Sequence, residues 1–228
     1  MTVRRAGCAA AALPDGRLLV AGGYDEKGIV GGVLGSCEVF DPASQVWSRN
    51  CAGLRRARWG HGCAELGGLV YAVGGCALIA GSIPREELME TLRTCEVYDP
   101  SADTWSPAAS LNVARAGARL VAIAGGQLAA VGGCDDVFGR AEMLASVEIF
   151  GEGGSWALLD TQLRVPRTTA AAVALDDCRI LVVGGAPSLS SAEVYHMPKD
   201  SLSLNHDERS IGSSVQICDM AEGRMGCQ

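Results

Sequence analysis

A glycine doublet that recurs four times along the chain is the feature that most constrains the fold. The doublets are Gly22-Gly23, Gly74-Gly75, Gly132-Gly133 and Gly184-Gly185, and they are spaced by 52, 58 and 52 residues. Each doublet closes a short apolar run, such as Leu128-Ala129-Ala130-Val131. Short apolar runs that end in glycine are typical of buried strands. Their recurrence at a nearly fixed period indicates a repeat architecture.

A second signature follows each doublet after a loop of variable length. It contains a glutamate, an aliphatic residue and, in the next position, an aromatic residue. The glutamates are Glu38, Glu96, Glu148 and Glu193. A tryptophan follows eight or nine residues after the glutamate in the first three copies, at Trp47, Trp105 and Trp156. The alternation predicts a half-buried strand.

An arginine also recurs, 16 or 17 residues before each doublet. The four arginines are Arg5, Arg58, Arg115 and Arg167. The segment 209–215, which begins with Arg209, looks like the opening of a fifth copy.

The ordered unit of arginine, apolar strand, glycine doublet, glutamate strand and tryptophan closely resembles the Kelch repeat. The resemblance covers about residues 3–195 and, weakly, 196–228. It implies an all-β fold, a Kelch-type β-propeller whose repeats are four-stranded antiparallel blades. The four blades are predicted at about 3–52, 53–110, 111–162 and 163–208. A degenerate last blade edge and a partial fifth repeat are predicted in 196–228.

Blade stacking gives these residue types a structural role. One small antiparallel sheet cannot cover both of its own faces, so each blade must pack against its neighbours. Glycine permits positive φ and a close backbone approach where strands crowd, and the aromatic residues fill the space between blades. The doublet glycines, the four glutamates and the three tryptophans are therefore predicted to be structural, with the glutamates accepting hydrogen bonds from backbone or neighbouring strands. Kelch rings usually contain more repeats, which predicts an incomplete or open ring with a tendency to self-associate.

The arginines carry the functional prediction. In the Kelch pattern they lie at the mouth of the central channel, where a guanidinium suits carboxylates or phosphates. The resemblance to Kelch-containing ubiquitin-ligase adaptors implies that they bind an acidic segment of a protein partner. The candidate partner-binding residues are Arg58, Arg115, Arg167 and Arg5, with Arg85 and Arg140 in the loops after the doublets. The alternative is that the consensus arginines are occupied by blade-to-blade hydrogen bonds.

Charge and cysteine spacing argue against several other classes of protein. A net charge of −7 gives no general reason to expect binding to nucleic acid or to an anionic membrane. No run of residues approaches the ~18–20 apolar residues of a membrane span. The 10 cysteines include no Cys-x-x-Cys pair and form no zinc spacing with the histidines, so we expect thiols in a reducing, cytoplasmic or nuclear compartment.

The sequence therefore predicts a protein-interaction module, not an enzyme, with no metal or cofactor. It would bind its partner through the channel-mouth face and the loops. The resemblance to Kelch-containing adaptors implies, more specifically, the substrate-recognition part of a ubiquitin-ligase adaptor. A dimerising, cullin-binding region would then lie outside these residues. The alternatives are a Kelch-type propeller enzyme with a copper or iron site, or a propeller fragment without a function.

Overall fold

The computed structural model describes residues 1–79, 89–136, 142–151 and 153–198, together with a backbone strand at 214–219. This part of the chain contains eighteen β-strands and one short helix, α1 (Gly28–Gly31). No described helix is long and apolar enough to cross a bilayer. The strands form four sheets of four antiparallel strands, which confirms the predicted all-β propeller fold with four blades.

In each blade the first strand along the chain lies at the inner edge, next to the channel, and the fourth lies at the outer edge. Blade 1 contains β1 (Ala9–Ala12), β2 (Leu18–Ala21), β3 (Cys37–Asp41) and β4 (Val46–Ser48). Blade 2 contains β5 (Gly62–Leu66), β6 (Leu69–Val73), β9 (Cys95–Asp99) and β10 (Thr104–Ala108). Blade 3 contains β11 (Arg119–Ile123), β12 (Gln127–Val131), β13 (Ser146–Phe150) and β14 (Trp156–Gln162). Blade 4 contains β15 (Ala171–Ala174), β16 (Arg179–Val183), β17 (Ser191–His196) and β18 (Ser214–Asp219). A two-stranded sheet of β7 (Cys76–Leu78) and β8 (Met89–Thr91) lies in the loop after the second doublet.

The same strand register recurs in all four blades. In each, the glutamate of the third strand lies opposite the residue two places before the doublet. These pairs are Val20 with Glu38, Ala72 with Glu96, Ala130 with Glu148, and Val182 with Glu193. Positions in different blades can therefore be compared residue by residue.

Strand β18 corrects the expectation of a fifth repeat at 209–215. It pairs with β17 in antiparallel fashion, with Ser214 opposite Tyr195. It therefore supplies the outer strand of blade 4, for which the sequence has no tryptophan, and it moves the end of that blade beyond the predicted residue 208. Arg209 lies outside the described residues.

The hydrophobic core consists of apolar clusters between consecutive blades. In the clusters between blades 1 and 2 and between blades 2 and 3, the later blade contributes a pair of aromatic rings in tilted contact. The ring centroids of Tyr98 and Trp105 are 5.2 Å apart, and those of Phe150 and Trp156 are 5.3 Å apart. The indole nitrogens of Trp105 and Trp156 each donate a hydrogen bond of 3.1 Å to a backbone carbonyl that precedes their blade. A third cluster fills the space between blades 3 and 4.

The inner strands follow one another around a central channel. β1 packs against β5, β5 against β11, and β11 against β15. Comparable packing between β15 and β1 does not occur in the described part of the chain. The four blades therefore form an arc that is open between blade 4 and blade 1.

Candidate functional site

One face of the propeller collects the loops and the segments that connect the blades. The second strand of each blade ends there at its glycine doublet, and the first and third strands begin there. We call this the doublet face. The doublets also join consecutive repeats, since the N–H of Gly75 donates to the carbonyl of Arg115 at 2.9 Å and that of Gly133 donates to Arg167 at 2.9 Å.

The consensus arginine of each repeat forms a buried ion pair with the glutamate of the same repeat. The pairs are Arg5–Glu38 at 3.0 Å, Arg58–Glu96 at 2.8 Å, Arg115–Glu148 at 2.7 Å and Arg167–Glu193 at 2.9 Å. None of these eight side chains is more than 5 % exposed. Each arginine also donates to the carbonyl of the first glycine of its doublet.

Arg115 shows how the two terminal nitrogens of these guanidinium groups are occupied, although its Nε has no hydrogen-bond partner among the described residues. Its Nη1 donates to the carbonyls of Gly132 at 2.8 Å and Ser146 at 3.1 Å. Its Nη2 donates to the Ser146 hydroxyl at 3.2 Å and to Glu148 at 2.7 Å. Burial lowers the pKa of Arg115, and the neighbouring Glu148 carboxylate opposes that shift. The Arg115 side chain is fully buried and already paired with the carboxylate of Glu148, so it is not presented to the carboxylate of a partner.

These contacts correct the partner-binding role predicted for Arg5, Arg58, Arg115 and Arg167. The four side chains are buried and paired with the glutamates, so they are not presented to a partner. The hydrogen bonds tie the segment that precedes each blade to the strands of that blade. This resembles the alternative in which the arginines are occupied by hydrogen bonds between blades, except that these bonds lie within one repeat. Arg85 and Arg140, the loop candidates, lie outside the described residues.

The glutamates hold the connecting segments on the doublet face. Each accepts a backbone N–H from the residue three places before the consensus arginine. The donors are Thr2 at 2.6 Å, Arg55 at 2.7 Å, Asn112 at 2.7 Å and Arg164 at 2.8 Å. Two members of this set, Arg55 and Arg164, have exposed side chains. Sequence reasoning missed both, although their common spacing from Arg58 and Arg167 was a signal that could have found them.

The hydrogen bonds to Glu38 predict a pH dependence of stability. Burial by itself would raise the pKa of Glu38, but hydrogen bonds from Thr2, Arg5 and Val3 outweigh it and lower the pKa from 4.5 to about 2. A carboxylate whose pKa is lower in the folded state stabilises the fold above its unfolded pKa, and that stability is lost as the pH falls through the folded pKa. We expect the free energy of unfolding to decrease between about pH 4.5 and pH 2.

This pH dependence can be measured by urea unfolding of the wild type and of Glu38→Gln over that range. The amide does not ionise, so the variant should be less stable at neutral pH and should lose less stability on acidification. Parallel pH profiles for the two proteins would contradict the role assigned to Glu38.

Ionised side chains are distributed unequally between the two faces of the propeller. The opposite face carries the turns within the blades, and these turns are acidic. Their charged residues in the described part of the chain are Asp15, Arg17, Asp41, Glu65, Asp99, Asp103, Asp176, Asp177 and Arg179. The doublet face instead exposes Arg4, Arg55, Arg93 and Arg164 together with acidic residues such as Glu26 and Asp136. Among the described residues, the acidic excess thus lies mainly away from the doublet face.

The channel contains a cavity of about 400 Å³ between the inner strands. Cys8, His61, Cys63 and Arg119 are among its lining residues. Neither ring nitrogen of His61 has a hydrogen-bond partner among the described residues, and burial, together with the charge of Arg58, lowers the pKa of His61 to about 3. The described residues contain no cluster of three or more histidine, cysteine, aspartate or glutamate side chains that could hold a metal ion.

Comparisons with known proteins agree with this architecture. The Kelch motif family matches residues 4–49 and 57–112. The Kelch-like protein 25 of Homo sapiens is 29% identical over 216 residues, which cover 92% of this chain and 32% of that protein. An F-box/kelch-repeat protein of Arabidopsis thaliana is 37% identical over 121 residues, covering 52% of this chain and 29% of that protein. The chain thus spans no more than about a third of the length of these curated relatives.

The solved structure of YjhT has the same fold. It superposes on this chain with a TM-score of 0.75 at 17% sequence identity. The match covers 97% of this chain and 72% of that one.

Proposed function

Because the chain is a Kelch-repeat β-propeller, we propose that it is a protein-interaction module that binds an acidic segment of a partner on its doublet face. The observation that carries this proposal is the placement of Arg55 and Arg164. Both residues are exposed, and the backbone N–H of each donates to a buried glutamate. A guanidinium group presents several N–H donors in one plane, and this geometry suits a carboxylate. Because the backbone of each arginine is already held in place, less conformational entropy is lost when the contact forms.

The distribution of charge supports the same face. The acidic turns of the opposite face would repel an acidic segment, whereas the doublet face offers arginines. The loops after the doublets, which differ in length, lie on the doublet face, and loops on a rigid scaffold commonly determine specificity. The names of the relatives, Kelch-like and F-box/kelch-repeat proteins, are consistent with a module of this kind.

The proposal is tested with a fluorescent peptide that contains a run of aspartate and glutamate residues. We expect the chain to bind this peptide more tightly than the matching asparagine and glutamine peptide. Replacing both Arg55 and Arg164 by alanine should weaken binding by about tenfold, because two exposed charged contacts of about 0.7 kcal/mol each together contribute about 1.4 kcal/mol. Fluorescence anisotropy at low and moderate salt measures both effects.

The matched control is the double variant Arg17→Ala and Arg179→Ala. It removes two exposed arginines from the opposite face, where each pairs with a neighbouring aspartate at 2.7 Å or less. This control should bind the acidic peptide as the wild type does. Equal binding of the acidic and amide peptides, or equal losses in the two double variants, would overturn the proposal.

A finer proposal is that the module recognises substrates for a ubiquitin ligase. It rests on the resemblance to Kelch-containing adaptors and requires a cullin-binding region in the same complex. Purification of the full-length gene product and analysis for a bound cullin tests this role. Absence of a cullin would contradict the adaptor role and leave the peptide-binding proposal standing.

A further inference from the structure

An aromatic pair lies on the doublet face where blades 1 and 2 meet. Tyr24 follows the first doublet, and Trp59 lies in the segment that leads into blade 2. The ring centroids of the two side chains are 5.8 Å apart, and their planes are nearly perpendicular, at 87°. Edge-to-face contact of this kind is a favourable arrangement of two aromatic rings. Both residues are only half-buried, so the pair is partly accessible from solvent.

The other repeats show that a blade does not require an aromatic residue at either position. In each repeat a backbone bridge joins the residue after the consensus arginine to the residue after the doublet. The bridged pairs are Ala6 with Tyr24, Trp59 with Cys76, Ala116 with Cys134, and Thr168 with Ala186. The equivalents of Trp59 and Tyr24 are therefore alanine, threonine or cysteine. These small side chains allow the same bridge to form, so the architecture of a blade does not explain the two large rings.

Two aliphatic side chains extend the pair into a larger apolar surface. Val33 and Leu78 pack, together with Trp59, against one buried cluster between the blades. Val33 also pairs with Tyr24 through a backbone bridge. All four residues are half-buried. We call Tyr24, Val33, Trp59 and Leu78 the aromatic patch.

The backbone beneath the two rings is held by hydrogen bonds on both sides. The N–H of Trp59 donates to the carbonyl of Cys76 at 3.0 Å, and the carbonyl of Trp59 accepts the N–H of Cys76 at 2.8 Å. Tyr24 and Ala6 exchange the same two bonds, both at 2.9 Å. Trp59 also directly follows Arg58, whose side chain is fixed by its buried ion pair. Aromatic side chains on a fixed backbone lose little conformational entropy when they bind a partner.

An exposed arginine lies close to the aromatic patch along the same segment. Arg55 precedes Trp59 by four residues, so their Cα atoms are at most about 14 Å apart. An extended partner segment of about four residues spans the same distance. One short segment can therefore contact the guanidinium group of Arg55 and the rings of the patch together.

We propose that the aromatic patch is the anchor site for one large apolar side chain of the acidic partner segment. This inference rests on the proposed function, in which Arg55 and Arg164 bind the carboxylates of that segment. Contact with the patch removes apolar surface of both molecules from water, which favours binding. Interfaces commonly place aromatic anchors at their desolvated centre and charged contacts at the rim. The recognised chemistry is thus a leucine-like side chain within about four residues of a carboxylate.

Two fluorescent peptides test the anchor site. Both contain a run of aspartate and glutamate residues; one has a single leucine at its centre, and the other has asparagine in the same place. We expect the intact chain to bind the leucine peptide about tenfold more tightly in fluorescence anisotropy. Trp59→Ala should weaken binding of the leucine peptide about tenfold and leave binding of the asparagine peptide unchanged, because only leucine uses the patch.

A second variant and a matched control make the test specific. Tyr24→Ala removes the other ring of the pair and should also reduce the preference for leucine, so the test remains possible if Trp59→Ala does not fold. Circular dichroism identifies the folded variants. The control Trp47→Ala removes another half-buried tryptophan, from the outer strand of blade 1, and should keep the full preference for the leucine peptide.

The outcomes separate this inference from the proposed function. Equal affinities of the wild type for the two peptides would overturn the anchor site and leave the binding of acidic segments standing. A preference for leucine that survives in both folded variants, or that Trp47→Ala reduces as much as they do, would also overturn it. Failure of the chain to bind either peptide would overturn both proposals.

Discussion

Replacing Arg115 by alanine is expected to lower the free energy of unfolding by about 3–5 kcal/mol, because it leaves the buried carboxylate of Glu148 without its partner. The same substitution removes donors from the Gly132 and Ser146 carbonyls and from the Ser146 hydroxyl. Such a loss is a large fraction of the stability of a typical domain. Urea unfolding followed by circular dichroism measures the change.

Two further variants make this prediction specific to the buried pair. Arg55→Ala removes an exposed arginine from the same face and should change the free energy of unfolding by no more than about 0.5 kcal/mol. Arg115→Lys keeps the positive charge and loses the planar fork, so its stability should lie between those of the wild type and Arg115→Ala. It also provides a measurable protein if Arg115→Ala does not fold. Equal stabilities of Arg115→Ala and Arg55→Ala would contradict the role assigned to the ion pair.

Substitution of the first doublet glycine of blade 3, Gly132→Ala, should have the second large effect. Gly132 has φ of +63°, in the left-handed region, and a methyl group there would lie 2.5 Å from the carbonyl oxygen of Arg167. That oxygen belongs to the backbone and accepts a hydrogen bond from Gly133, so it cannot move away without breaking the contact between repeats. Both backbone strain and steric overlap therefore oppose alanine.

The control for this substitution is Gly67→Ala. Gly67 has nearly the same φ, +61°, and no atom lies within 4 Å of the position that its methyl group would occupy. It should lose about 1–3 kcal/mol from backbone strain alone. Gly132→Ala should lose about 1–3 kcal/mol more, which is the usual cost of overpacking. The difference in urea midpoint between the two variants measures the overlap, and equal midpoints would show that the doublet does not require a close approach.

The repeats could be predicted from the sequence because their signals are local and periodic. A doublet after an apolar run marks the end of a strand, and an aromatic residue two places after Glu96 marks a face of the next strand. Both depend on neighbours within a few residues. The same reasoning predicted four antiparallel blades, which the structure confirms. It failed at 214–219, because a strand without a tryptophan has no local mark that distinguishes an outer strand from the opening of a new repeat.

The candidate site was less accessible to sequence reasoning. Arg115 and Glu148 are 33 residues apart, and only the pairing of strands brings their side chains together. The sequence placed an arginine at a consensus position but carried no information on whether that arginine faces solvent or a glutamate. The exposed Arg55 precedes Arg58 by three residues and was not distinguished from the other arginines around it.

The sequence by itself determined the repeat, the strand order within each blade and the glycines that each blade needs, because these follow from short-range patterns of hydrophobicity and backbone conformation. Only the tertiary structure decided which charges are buried and which apolar faces are bare. Burial depends on what lies opposite a residue, and in a propeller that is the neighbouring blade. Val70 and Leu18 occupy equivalent positions in the second strands of blades 2 and 1. Val70 is buried because blade 1 packs over it, whereas Leu18 is 41% exposed because no blade in the described part of the chain packs over it.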